Sequence, residues 1–103
     1  MRIVIDTNVF MSALYFGGNP LKVVNLMQEN RFDVFATPDI INEYNEVYYR
    51  LEKKTGKKAN KFVLDNILHY LNVIPDSNSI MASRDKEDDK FLNCAVNCKA
   101  LYI

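Results

Sequence analysis

Apolar residues along this chain fall into short blocks whose spacing alternates between that of strands and that of helices. The first block, Ile3-Val4-Ile5, is a β-branched run without polar interruption. It predicts a strand buried on both faces, as in the middle of a parallel sheet. The run ends in Asp6-Thr7-Asn8, and Val9, Phe10, Met11, Ala13 and Leu14 then predict a short helix over Asn8 to Leu14. Phe16-Gly17-Gly18-Asn19-Pro20 is the strongest break in the pattern. Pro20 suits the first turn of a second helix reaching about Asn30, with Leu21, Val24, Leu26 and Met27 as its apolar positions.

Phe32 to Ala36 reads as a second strand. Thr37-Pro38 is then a helix start, with Thr37 as N-cap and Pro38 at the first helical position. In the helix that follows, to about Glu52, Ile40, Ile41, Tyr44, Val47, Tyr48 and Leu51 keep one-face spacing. A further helix is expected from about Asn60 to Leu71, with Phe62, Val63, Ile67, Leu68 and Leu71 inward. Asn72-Val73-Ile74-Pro75 makes a short strand, Asp76 to Arg84 a polar loop, and Phe91 to Val96 the apolar part of a last helix led by acids. Leu101-Tyr102-Ile103 begins another strand. Alternation of this kind predicts an α/β fold of three layers, α/β/α, with a central, mostly parallel sheet.

Length and composition change this picture little. A chain of 103 residues, 49% hydrophobic and 25% charged, is one domain of ordinary globular make-up. Thirteen basic residues balance thirteen acidic ones, so a nucleic-acid partner would have to be held by a local patch. No apolar run approaches the roughly 18–20 residues of a membrane span, and the amino terminus does not read as a signal peptide, so the expected location is the cytoplasm. Cys94 and Cys98 share a helix face, but two thiols without further ligands make a poor zinc site and are expected to be buried and reduced. The single histidine, His69, is read as structural or exposed, which leaves no histidine base for catalysis.

Candidate chemistry lies in the acids. Asp6 follows the first strand, where open α/β sheets place ligands, although Asp6 and Asn8 also suit the cap of the next helix. Glu43 borders the buried stripe of its helix, where an acid needs a partner or a function. Asp85, Glu87, Asp88 and Asp89 precede the last helix, where the macrodipole alone would favour them. In a parallel sheet Asp6, Glu43 and the Asp88/Asp89 pair can meet at one edge. Carboxylates converging without an arginine or histidine repel one another unless a cation intervenes, and oxygen-only ligation favours Mg²⁺ or Mn²⁺. The basic run Lys53-Lys54-Thr55-Gly56-Lys57-Lys58, joined by Arg50 and Lys61, is either a solvated loop or a surface for phosphate backbones.

Taken together, the opening strand with Asp6-Thr7-Asn8, Thr37-Pro38 leading to Glu43, and Arg84-Asp85 followed by Asp88-Asp89-Lys90-Phe91-Leu92 resemble PIN domains over essentially the whole chain. The resemblance implies a metal-dependent endoribonuclease, and for many members the toxin of a prokaryotic toxin–antitoxin module. By resemblance Asp6, Glu43 and Asp89 are catalytic and hold Mg²⁺ or Mn²⁺, with Asp88 the alternative to Asp89. Thr7 and Asn8 would position ligands or water. Arg50, Lys53, Lys54, Lys57, Lys58 and Lys61 would hold the RNA backbone. Expected partners are the RNA substrate, a cognate antitoxin protein and a second copy in a homodimer, with no membrane. The family's further acid, usually just after the next strand, would fall beyond Ile103, so the expectation is a single domain, residues 1–103, lacking its C-terminal end. The alternative function is a catalytically incomplete module of the same fold that binds RNA or a protein. A response-regulator reading is set aside, because Asp6-Thr7-Asn8 lacks that family's second acid.

Overall fold

A computed structural model of the chain describes residues 1–15, 26–27, 29–56, 61–76 and 89–103. The opening strand, β1 (Arg2–Val4), lies inside a four-stranded sheet between β2 (Asp33–Ala36) and β4 (Leu101–Tyr102), and β3 (Asn72–Val73) flanks β2. All three pairings are parallel. Ile3 stands opposite Val34 on one side and Leu101 on the other, and Val4 stands opposite Tyr102. Ile3, Val4 and Ile5 are all buried, as expected of a central strand with both faces covered.

The described helices are α1 (Thr7–Tyr15), α2 (Pro38–Thr55), α3 (Lys61–Tyr70) and α4 (Asp89–Cys98). Alternation along the strands sorts them into layers. On the face carrying Val4 and Tyr102, α4 stacks Phe91 on the Tyr102 ring, and Arg2 donates to the Cys98 carbonyl at 3.0 Å. On the face carrying Ile3, Ile5 and Val34, α1 and α3 contribute Phe10, Leu14 and Ile67 around an apolar cavity of about 420 Å³. Tyr44 of α2 ties the layers together. Its ring stacks on Phe10 of α1 at 4.6 Å and meets Phe91 of α4 at 6.5 Å.

Local sequence explains the boundaries of α2. Thr37 is extended and its hydroxyl accepts from the Ile40 N–H, Pro38 opens the helix, and Lys53 and Lys54 complement the dipole in the last turn. Gly56 closes it at φ 69°, a left-handed conformation that glycine adopts without a Cβ clash. The helix runs to Thr55, past the expected end near Glu52.

Helix α3 corrects one expectation. Phe62 is 72% exposed, while Leu64 is fully buried. The inward stripe is Val63, Leu64 and Ile67, so Phe62 falls about 100° away, one residue out of phase. Cys94 and Cys98 are buried free thiols. Burial pushes the Cys94 thiol up to about 12 and raises that of Cys98 as well. His69 is exposed. Of the second predicted helix, Leu21 and Val24 lie outside the described residues, as do Lys57, Lys58 and the whole acidic stretch before Asp89. None of the helices described is long and apolar enough to cross a membrane.

Candidate functional site

With every strand parallel, the carboxyl ends of β1, β2 and β4 share one edge of the sheet. The pairing of β1 with β4 continues one step past the strands. Ile103 donates its N–H to the Val4 carbonyl, and Asp6 donates its own to the Ile103 carbonyl at 2.6 Å. Asp6 is thereby fixed by backbone at the rim.

Its side chain has two roles. Oδ2 accepts the Asn8 N–H at 3.0 Å while the Asp6 carbonyl takes the Phe10 N–H, so Asp6 is the N-cap of α1. Oδ1 accepts the Tyr102 hydroxyl at 2.8 Å. Capping therefore occupies one oxygen and the Tyr102 hydroxyl the other. Each carboxylate oxygen retains a second lone pair.

Thr7 is buried, and its hydroxyl donates to Oε2 of Glu43. Adjacent residues of the β1–α1 turn thus connect Asp6 to Glu43 across two elements. Oε1 of Glu43 meets the Lys90 ammonium at 2.6 Å, with both side chains largely withdrawn from solvent. Behind them the Tyr44 hydroxyl donates to the Ile5 carbonyl at 2.6 Å. Its phenol is held well above the ordinary value, first by burial, then by the neighbouring Cys94 thiol and the Asp6 and Glu43 carboxylates.

The predicted residues are therefore distributed as follows. Thr7 and Glu43 share a hydrogen bond, and Asp6 adjoins them as the residue before Thr7, its own carboxylate bonded to Asn8 and Tyr102. Asn8 contributes its backbone N–H and is exposed. Asp89, half-buried, is the first residue of α4, next to the lysine that reaches Glu43. Among the described residues no three acidic, histidine or cysteine side chains converge on one point, so Asp6, Glu43 and Asp89 do not close a three-carboxylate cage. Asp88 lies outside the described residues. Arg50, Lys53 and Lys54 are exposed on α2, and Lys61 pairs with Asp65 at 2.5 Å.

Sequence reasoning missed two members of this group. Lys90 was overlooked because compensation of the acids was sought in arginine or histidine, although a lysine one position after Asp89 was in view. Tyr102 carries no signal beyond its place in a strand opposite β1. Beside the Lys90 ammonium, the groups able to ligate are all oxygens, which fits a hard divalent cation such as Mg²⁺ or Mn²⁺ in chemistry. The apolar cavity under α1 offers no comparable groups.

Comparison with known proteins follows the same lines. The profile of the PIN domain matches residues 2–103. The uncharacterized protein MJ1680 of Methanocaldococcus jannaschii is 32% identical over 107 residues, covering 100% of this chain and 69% of that protein. No solved structure matches. PIN domains are generally nucleases and usually use divalent metals. The chain belongs to the PIN domain family.

Proposed function

We propose that this chain is a Mg²⁺- or Mn²⁺-dependent endoribonuclease that hydrolyses RNA phosphodiester bonds. The observation carrying the reading is that Asp6, held by backbone at the carboxyl edge of the sheet, is followed directly by Thr7, whose hydroxyl donates to Glu43. Ligands of open α/β folds bind at this edge, and residues there are positioned by strand ends rather than by long loops.

In this reading Asp6, Glu43 and Asp89 hold the metal, with Asp88 the alternative to Asp89. Thr7 keeps one Glu43 oxygen turned toward the β1 end. Tyr102 orients Asp6 from β4, and the Asn8 N–H prevents its carboxylate from rotating away. Tyr44 anchors the strand end beneath them through the Ile5 carbonyl. The chemistry a bound Mg²⁺ or Mn²⁺ supplies is activation of water and neutralisation of charge growing on the phosphate. RNA is the substrate, held by Arg50, Lys53, Lys54, Lys57, Lys58 and Lys61. The same reading carries a cytoplasmic toxin role, with a cognate antitoxin and a second copy of the chain as partners.

The test is cleavage of a single-stranded RNA in Mn²⁺ by the wild type and by Asp6→Asn prepared in parallel. Metal-dependent cleavage by the wild type, lost in Asp6→Asn, supports the assignment, and full activity in Asp6→Asn overturns it. One observation favours a second reading, a PIN module that binds RNA or a protein without cleaving it. The Lys90 ammonium supplies positive charge at Glu43 where a metal would. RNA affinity without Mn²⁺ binding or cleavage would establish that reading instead.

A further inference from the structure

The two most exposed aromatic rings among the large hydrophobic residues described, Phe62 and Tyr49, flank the chain's densest run of basic residues. Residues 50–61 hold six of the chain's thirteen basic residues and only one acid, Glu52. On α2, Arg50 lies seven residues after Glu43, on the same helix face and about 10 Å further along the axis. Lys53 and Lys54 continue this exposed surface. Tyr49, 51% exposed, stands beside them, and the Lys61 ammonium of α3 lies 5.9 Å from the centre of its ring. Phe62 follows Lys61, is 72% exposed, and stacks on no other ring among the described residues. A phenyl ring this exposed contributes little to the core, and one set among cations suits a flat, negatively charged partner.

We propose that Phe62, next in the chain to the Lys61 that approaches the Tyr49 ring, is a base-stacking platform for single-stranded RNA whose phosphates are held by Arg50, Lys53, Lys54 and Lys61. The proposal deepens the ribonuclease reading and rests on it for the identity of the nucleic acid. Nucleic-acid surfaces that accept single strands combine a cationic track with exposed rings, because every base has a face to stack. Paired bases are already stacked, so the platform discriminates against duplex. Charge complementarity selects RNA over an apolar protein partner, since a protein face laid over Phe62 would have to desolvate the lysines around it. Arg50, along the same helix face as Glu43, gives the strand a direction toward the candidate metal site.

The test is binding of a fluorescent 12-nucleotide RNA and of the matching duplex, followed by anisotropy in EDTA so that binding is read apart from cleavage. Phe62→Ala weakens single-strand binding about tenfold or more, the loss expected for one stacked base, with duplex binding and the salt slope unchanged. Arg50→Gln lowers the salt slope instead, by about 0.7 for one phosphate contact on a single strand. The chain has no tryptophan, so Phe62→Trp creates a single indole that retains binding and is quenched as RNA is added. Unchanged affinity in Phe62→Ala, or an unquenched indole at saturation, overturns the proposal. So does a Phe62→Ala protein that shifts from dimer to monomer in sedimentation with its RNA affinity intact, which would assign the surface to a second copy. Phe62-dependent binding without metal-dependent cleavage leaves this inference standing and removes the nuclease reading; cleavage that ignores Phe62 does the reverse.

Discussion

The Lys90 ammonium lies 2.6 Å from Oε1 of Glu43, joining the first turn of α4 to the middle of α2 at the carboxyl edge of the sheet. The pair is shielded enough that removing one partner leaves the other poorly solvated. Lys90→Met is therefore expected to destabilise the protein by about 1–2 kcal/mol, below the cost for a fully buried pair. For a domain of this size that lowers Tm by roughly 4–16 °C. Because the variant removes a competing cation, Mn²⁺ should raise its Tm by more than it raises that of the wild type. Thermal melts with and without Mn²⁺ check both parts.

Asp6 caps α1 and faces the site, and two substitutions separate these roles. Asp6→Ala loses the Oδ2 contact to the Asn8 N–H, which is expected to cost about 1 kcal/mol. Asp6→Asn keeps a side-chain oxygen for the same N–H, so its urea midpoint should stay close to that of the wild type. Urea unfolding of the two variants makes the comparison.

Much of this arrangement is legible in the sequence because strong local signals coincide with tertiary ones. The β-branched run at Ile3 reads as a central strand and is one, and Thr37-Pro38 opens α2 as its residue types favour. Asp6 reads in the sequence as cap or as ligand; one carboxylate oxygen makes the cap and the other accepts the Tyr102 hydroxyl. What escaped depends on register. Phe62 belongs to an apolar cluster in sequence, but a 100° step around α3 turns it to solvent. Tyr102 reaches Asp6 only because β4 pairs with β1 at Val4, a contact spanning 96 residues that no local pattern encodes.

Tyr44 is fully buried, and its hydroxyl is held on the Ile5 carbonyl. Tyr44→Phe preserves the stacking on Phe10 but leaves that carbonyl without its donor, at an expected cost of about 1–3 kcal/mol. The loss is read by denaturant unfolding, with the effect on Mn²⁺ affinity as a second readout, since Ile5 immediately precedes Asp6.

The buried thiol of Cys94 predicts an alkaline limit. Its pKa rises from 9.0 to about 12 on folding, so above pH 9 the unfolded chain releases a proton that the folded one keeps. Stability is then fully present below about pH 9 and is lost progressively as pH rises toward 12. Urea midpoints should fall across that window, and Cys94→Ala should flatten the fall. Ellman's reagent at pH 8 should react slowly with the native protein and rapidly once it is unfolded.

The central claim, that Asp6 and Glu43 are parts of one divalent-metal site, is tested most directly by titrating the protein with Mn²⁺ and following free Mn²⁺ by electron paramagnetic resonance. The account predicts saturable binding by the wild type, loss of that binding in Asp6→Asn and in Glu43→Gln, and no change in Asp65→Asn, whose carboxylate pairs with Lys61 on the surface of α3. Wild-type affinity retained in Asp6→Asn would contradict it.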